Sequence, residues 1–153
     1  MRKSVIMLIL AAMVCIFSGC STTEQPPNTE DLGQLLSFSY SYGSYHQGYW
    51  FYDFSRTEDG EILFTAEGHN GVEMNLSTTV DQDVLDGIAA VIEEQEIYKW
   101  NGQHRSGSIV DGWGFSISAE FENGNIEAGA STVESGDGGA LGDHLWQLAE
   151  SLK

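Results

Sequence analysis

The segment Leu-Ser-Phe-Ser-Tyr-Ser-Tyr at residues 36–42 decides the fold class, because large side chains alternate in it with serines. Successive side chains of a β-strand point to opposite faces, so this alternation indicates a strand that is buried on one face only. We therefore expect a sheet with one packed face and one polar, serine-lined face.

Five further strands are predicted C-terminal to this segment, because apolar or aromatic side chains recur at every second position. They cover residues 49–55, 62–66, 72–76, 113–121 and 126–130. Glu58-Asp59-Gly60 and His69-Asn70-Gly71 lie between neighbouring strands and are typical of turns. Asn123-Gly124 predicts a type I′ hairpin turn. Residues 101–112 are predicted to be a loop.

Two segments have apolar residues at helical spacing instead. Asp81 is placed to cap the first helix by accepting hydrogen bonds from backbone amides, and this helix should end near Gln95. The apolar stripe of the last helix consists of Leu141, Leu145, Leu148 and Leu152. The order β-β-β-β-α-β-β-α predicts an α+β domain over residues 35–153, with an antiparallel sheet of about six strands and both helices packed on one face.

The first residues have the pattern of an export signal. Arg2 and Lys3 precede an apolar run from Val5 to Phe17, which is shorter than the about 20 residues needed to span a bilayer. Phe17-Ser18-Gly19-Cys20 then resembles the lipobox of bacterial lipoproteins, although Phe17 stands where leucine is usual. The resemblance implies a signal peptide at residues 1–19 and a diacylated cysteine at Cys20.

The cysteine content agrees with lipidation. Cys15 leaves with the signal, so Cys20 is the one cysteine of the mature chain, and an unpaired thiol in an exported protein needs an explanation. Two acyl chains suffice for stable membrane anchoring. The alternative is an ordinary signal peptide cut near Gly19, which leaves a free thiol. Residues 20–34 are polar, contain both prolines, and are predicted to be a flexible tether.

The charge is strongly negative. The chain has 6 basic and 23 acidic side chains, a formal net charge of −17, and removal of Arg2 and Lys3 makes it more negative by two. Such a surface repels polyanions, so nucleic acid and anionic lipid head groups are excluded as partners. A solvated acidic surface is the simplest interpretation, while cationic peptides, basic proteins and divalent metals stay open as partners.

Several motifs resemble those of a loose group of small lipoproteins from anaerobic Gram-positive bacteria. Beside the lipobox, these are Ser-Phe-Ser-Tyr-Ser-Tyr-Gly-Ser-Tyr at 37–45, Gly-Tyr-Trp-Phe-Tyr at 48–52 and Ile-Tyr-Lys-Trp-Asn-Gly at 97–102. The resemblance implies an α+β domain held on the extracytoplasmic face of the cell membrane. It implies no activity and supplies no functional residues.

The sequence predicts no catalytic residues, no metal ligands and no cofactor. The four histidines, His46, His69, His104 and His144, lie in separate segments, and no Gly-x-Ser-x-Gly nucleophile motif or His-Glu-x-x-His zinc motif occurs. Paired carboxylates exist in any acidic protein, so a small envelope hydrolase that uses them for acid–base chemistry is the alternative function.

The leading hypothesis is a non-catalytic binding or interaction module tethered through Cys20. Its partner would be an envelope protein, a peptide or a glycan, and a further alternative is an accessory subunit of another envelope protein. Tyr49 and Phe51 share their strand face with Asp53 and are expected on the open face, with Tyr45 nearby in the preceding loop. These three aromatics are the ligand-binding candidates, unless the loops at 101–112 or around Tyr45 cover the rings.

Overall fold

The computed structural model describes residues 29–105, 112–133 and 139–153, without the side chains of residues 29, 30, 132 and 133. The predicted signal peptide, Cys20 and most of the predicted tether lie outside these residues. So do residues 106–111 of the predicted loop and most of the glycine-rich segment that precedes the last helix.

Within the described ranges the chain forms seven strands, two 13-residue helices and two short helical turns, so the predicted α+β class is confirmed. In chain order the elements are α1 (Thr29–Leu32), β1 (Leu35–Ser44), β2 (Gly48–Arg56), β3 (Ile62–His69), β4 (Asn75–Val80), α2 (Gln82–Glu94), a 3-10 turn (Ile97–Trp100), β5 (His104–Arg105), β6 (Trp113–Phe121), β7 (Gly124–Val133) and α3 (Gly139–Ser151).

The strands make one sheet in the order β4-β3-β2-β1-β6-β7-β5. Its pairs are antiparallel except for β5, which runs parallel to β7. The prediction of about six strands, all antiparallel, is therefore wrong at this edge. The extra strand lies in the predicted loop, where the Gly102 amide donates to Glu127 O at 2.8 Å and the Gly129 amide donates to Gln103 O at 2.9 Å.

The alternation in β1 produces the burial that the sequence indicates. Phe38 and Tyr40 are buried, whereas Ser37, Ser39 and Ser41 remain partly exposed. Neighbouring strands repeat the pattern and add Phe54, Phe64, Ile117, Ala119, Ile126 and Ala128 to the buried side. One sheet face therefore carries the core, and the other is open.

Both longer helices contribute to that same core. Leu85, Ile88 and Ile92 of α2 are fully buried, as are Leu141, Leu145 and Ala149 of α3, and all six belong to one hydrophobic cluster with the sheet. The predicted apolar stripe of the last helix is wrong at its C-terminal end, because Leu148 is only partly buried and Leu152 is 37% exposed. A register of i, i+4 and i+8 fits α3 better than the predicted leucine spacing.

Local details correct three further predictions. Asp81 is the N-cap of α2, but its side chain makes no capping hydrogen bond. The fourth strand begins at Asn75 rather than at Val72, since the Gly68 amide donates to Met74 O and closes a wider turn. Leu32, in the predicted tether, is buried in the core, so the packed part of the chain includes residues from that segment.

Candidate functional site

The open face of the sheet is a continuous surface of short polar side chains. Strand register places these residues next to one another, because Ser39 lies between Asp53 of β2 and Ser118 of β6. In the next row toward the β1–β2 turn, Ser41 lies between Phe51 and Ser116. Phe51 therefore stands on a floor of serines, as the strand pattern predicts.

Three rings form an aromatic ridge on this face, which we define as Tyr49, Phe51 and His69. The ring centroids of Tyr49 and Phe51 are 6.4 Å apart, and the His69 ring meets Phe51 edge-on at 5.0 Å. Phe51 is 41% exposed, although a ring of this size is normally buried, and Tyr49 is half-buried. Within the described residues, the ridge is open to solvent rather than covered.

Tyr45 is not part of the ridge. It lies in the turn between β1 and β2, is 70% exposed, and its ring contacts His46 at a centroid distance of 5.5 Å. The structure therefore brings together two of the three predicted binding residues and places the third at the tip of the hairpin. Cover of the rings by the loop at 101–112 is the alternative, and residues 106–111 of that loop lie outside the described ranges. The loop around Tyr45 leaves Phe51 41% exposed.

A depression of about 390 Å³ adjoins the aromatic ridge. Phe51, Asp53, Glu67 and His69 line it with charged or aromatic groups, and Tyr40 and Tyr52 also border it. Ser39, Ser41, Thr65 and Ser116 supply hydroxyl groups beside them. The depression thus combines an exposed ring with many hydrogen-bonding oxygens.

His69 is the member of this surface that sequence reasoning missed. It reads as part of a turn before Asn70 and Gly71, yet it is the last residue of β3 and pairs with Tyr49. Its Nε2 lies 3.5 Å from Glu67 Oε2, and both side chains are more than half exposed. A solvated pair of this kind contributes little to stability, so its side chains are available to a ligand.

A second concavity lies between the packed side of the sheet and α3, and sequence reasoning missed it entirely. This cleft, of about 350 Å³, is lined by Tyr42, Trp50, Tyr52, Gly139, Gly142, Asp143 and Trp146. Trp50 and Tyr52 lie on the strand face opposite Tyr49 and Phe51, which the sequence pattern does not mark as a binding surface. The available signal was the double aromatic pattern of β2, in which both strand faces carry large rings.

Burial keeps the phenol groups near this cleft protonated. It raises the pKa of Tyr52 and of Tyr40 above the usual range, and the Asp143 carboxylate raises both further. Burial and then Asp143 also raise the pKa of Tyr42. The three phenols are therefore neutral at physiological pH, and the field of Asp143 extends into the cleft.

Among the residues that the structure describes, no group of three or more His, Cys, Asp or Glu side chains is arranged to hold a metal ion. Among the described helices, none is long and apolar enough to cross a membrane.

Fold and surface together define a small α+β domain with an open, aromatic and hydroxyl-rich sheet face. No protein-family model matches the chain, and no curated protein matches it. Function is therefore inferred from the two concave surfaces and their chemistry.

Proposed function

We propose that the protein is an extracytoplasmic lipoprotein, held on the cell membrane through Cys20, whose domain is a non-catalytic glycan-binding module. The observation that carries the proposal is Phe51, which is 41% exposed on a serine floor. The ring contacts Tyr49 and His69 on the same face, yet a large part of it is left to solvent, where a ligand could cover it.

The chemistry of the open face suits a sugar better than a peptide. Aromatic rings offer flat apolar surface for the C–H face of a sugar ring. Ser39, Ser41 and Thr65 both donate and accept hydrogen bonds, as sugar hydroxyls require, and Asp53 and Glu67 add strong acceptors. The net charge of −17 disfavours anionic polysaccharides, so the preferred glycan is neutral.

The proposal also explains why one sheet face is left open. Under this proposal, α2 and α3 both cover the packed face of the sheet. The lipid anchor keeps the domain near the membrane, with the open face of the sheet toward the envelope. Because Leu32 is packed in the core, the flexible tether of this proposal is residues 20–28, which would span on the order of 16 Å. The domain would then capture glycan chains close to the membrane surface.

A binding panel tests the proposal. Full-length protein is purified in a non-ionic detergent and titrated by calorimetry with neutral oligosaccharides of differing linkage. At least one should bind, and Phe51→Ala should weaken its binding by roughly 5- to 160-fold, because stacking on an aromatic ring is worth ~1–3 kcal/mol. Absence of binding across the panel would contradict the proposal.

Stability is the matched control for that variant. Phe51→Ala should change the free energy of unfolding by less than about 1 kcal/mol, because the ring is exposed. Tyr45→Ala, at the hairpin tip, should leave glycan affinity within twofold of wild type if the ridge alone binds. A Phe51→Ala protein that unfolds as readily as a core variant would show that the ring is structural.

The alternative function is a small hydrolase, and one observation favours it. Asp53, Glu67 and His69 line the same depression, so a carboxylate and an imidazole are available for acid–base chemistry. This function requires that a bound glycan be cleaved during long incubation, and that Glu67→Gln abolish cleavage while binding persists. Intact glycan after incubation leaves the binding module as the function.

A further inference from the structure

The cleft beneath α3 has the composition of a cation-binding cage. Four of its lining side chains are aromatic, namely Tyr42, Trp50, Tyr52 and Trp146, and a single carboxylate, Asp143, stands among them. The faces of aromatic rings are negative, so rings arranged around a concavity attract a cation that has shed much of its water. The carboxylate adds a full negative charge to the same concavity.

The aromatic walls are held by contacts outside the cleft. The Trp113 ring stacks on Tyr42 at a centroid distance of 4.7 Å and lies nearly parallel to Trp50 at 6.4 Å. Tyr42 and Trp50 are themselves 6.1 Å apart. These mutual contacts fix the orientations of the rings, so the cleft is formed before any ligand arrives.

Two glycines keep the concavity open on the helix side. A Cβ on Gly142 would meet Tyr40 and Tyr42 at 3.7–3.9 Å, which is ordinary packing contact. A Cβ on Gly139 would meet no atom of the described residues within 4 Å, so these residues leave room for a side chain there. A side chain at position 139 would therefore occupy the cleft without displacing its walls.

Local charge favours a cation over an anion here. The N-terminal end of α3 contributes a partial positive charge of about half a unit, which the Asp143 carboxylate outweighs. Lys153 lies 5.7 Å from the centroid of the Trp146 ring and is paired with Glu150, so these two residues add no net charge. The Lys153 contact also shows that the Trp146 ring is placed to attract a cation.

We propose that this cleft binds a small quaternary alkylammonium compound, with its methyl groups against the rings and its charge near Asp143. The volume of about 350 Å³ is at the lower end of the range for small-molecule sites, which excludes a folded partner or a long peptide. A primary ammonium is less suited, because it is strongly hydrated and needs several acceptors. A metal ion would need more oxygen ligands than Asp143 supplies.

The proposal is independent of the glycan-binding face, because the cleft lies on the other side of the sheet. Asp143→Asn should therefore leave glycan affinity unchanged, and Phe51→Ala should leave alkylammonium affinity unchanged. If one of the two sites does not bind its proposed ligand, the proposal for the other site is not contradicted.

The test compares choline with 3,3-dimethylbutan-1-ol, which has the same shape and no charge. Each is titrated into the detergent-purified full-length protein, and tryptophan fluorescence and calorimetry report binding. Choline should bind at least about tenfold more tightly than the alcohol, since cation–π contacts and a carboxylate act on the charge alone. Equal affinities, or no binding of choline at millimolar concentration, would overturn the proposal.

Three variants locate the interaction. Asp143→Asn should weaken choline binding at least about fivefold and leave the alcohol unaffected. Asp59→Asn removes the same unit of charge from an exposed turn and should change neither ligand. Gly139→Leu should abolish binding of both without lowering the melting temperature. If Asp59→Asn weakens choline as much as Asp143→Asn does, overall charge is responsible and the site is refuted.

Discussion

Gly87 shows how one residue limits the stability of a helix that otherwise fits its sequence pattern. It lies inside α2, where glycine costs about 1 kcal/mol relative to alanine, and a Cβ there would meet no atom within 4 Å. Gly87→Ala should therefore raise the free energy of unfolding by about 0.5–1 kcal/mol, measured by urea denaturation.

Gly71 provides the matched control for this prediction. A Cβ on Gly71 would also meet no atom, but its φ is +97°, which side chains rarely adopt. Gly71→Ala should destabilise the domain by about 1 kcal/mol or more. If both variants shift stability in the same direction, backbone conformation is not what distinguishes the two sites.

Tyr52 makes stability depend on alkaline pH. Burial, and secondly Asp143, raise the pKa of this phenol in the folded protein above its unfolded value, which is about 10. Below that pH both states are protonated and the contribution of Tyr52 is fully present. Above it the unfolded chain loses its proton first, so stability should fall as the pH rises beyond about 10.

Urea denaturation between about pH 8 and pH 11 measures this dependence. Tyr52→Phe should reduce the alkaline loss of stability, whereas Tyr45→Phe, at an exposed ring, should not. A profile for Tyr52→Phe that is indistinguishable from wild type would mean that other groups cause the loss.

The sequence predicts the candidate site only in part. Alternation in β2 correctly places Phe51 on the open face, because a period of two is a local property of the chain. The contribution of His69 depends on where β3 ends, and the turn-forming residues that follow it conceal that position. The cleft at Asp143 joins β1 and β2 to a helix some 90 residues later, and no local pattern encodes such a distance.

At the scale of elements, the sequence pattern correctly predicts the strand β1 but not the conformation of the β6–β7 turn. The loop between β6 and β7 is Glu122–Asn123, and neither residue has a positive φ, so the predicted type I′ turn at Asn123-Gly124 is wrong. Tertiary hydrogen bonds explain the difference, since the amides of Glu122 and Asn123 donate to Gln34 O and Leu32 O. A turn whose amides are bound by a distant segment cannot be predicted from its own residues.

The buried residues of α3 are Leu141, Leu145 and Ala149. Leu145 is fully buried, so Leu145→Ala should cost about 2–5 kcal/mol of unfolding free energy. Leu152→Ala, at an exposed position directly after α3, should cost less than about 0.5 kcal/mol. Thermal or urea denaturation measures both, and a loss below about 0.5 kcal/mol at Leu145 would mean that α3 does not dock.

At the scale of the whole molecule, we propose that a lipid-anchored tether determines where the domain acts. If Cys20 carries two acyl chains, wild-type protein should sediment with membranes, and Cys20→Ser should appear in the soluble fraction with an altered cleavage product. Fractionation followed by mass spectrometry of the mature N-terminus tests this. Identical fractionation and identical processing of the two proteins would refute lipidation.

The central claim is that the open face of the sheet binds a neutral glycan. Amide NMR spectra of the isotopically labelled full chain test this claim most directly. The tightest-binding neutral glycan from the panel is titrated into the protein, and shifts are mapped onto the sheet. We predict that the largest changes fall at Ser41, Phe51 and Glu67, on the floor and rim of the depression. Changes confined to Gly142 and Asp143 in the cleft, with the open face unaffected, would contradict the claim.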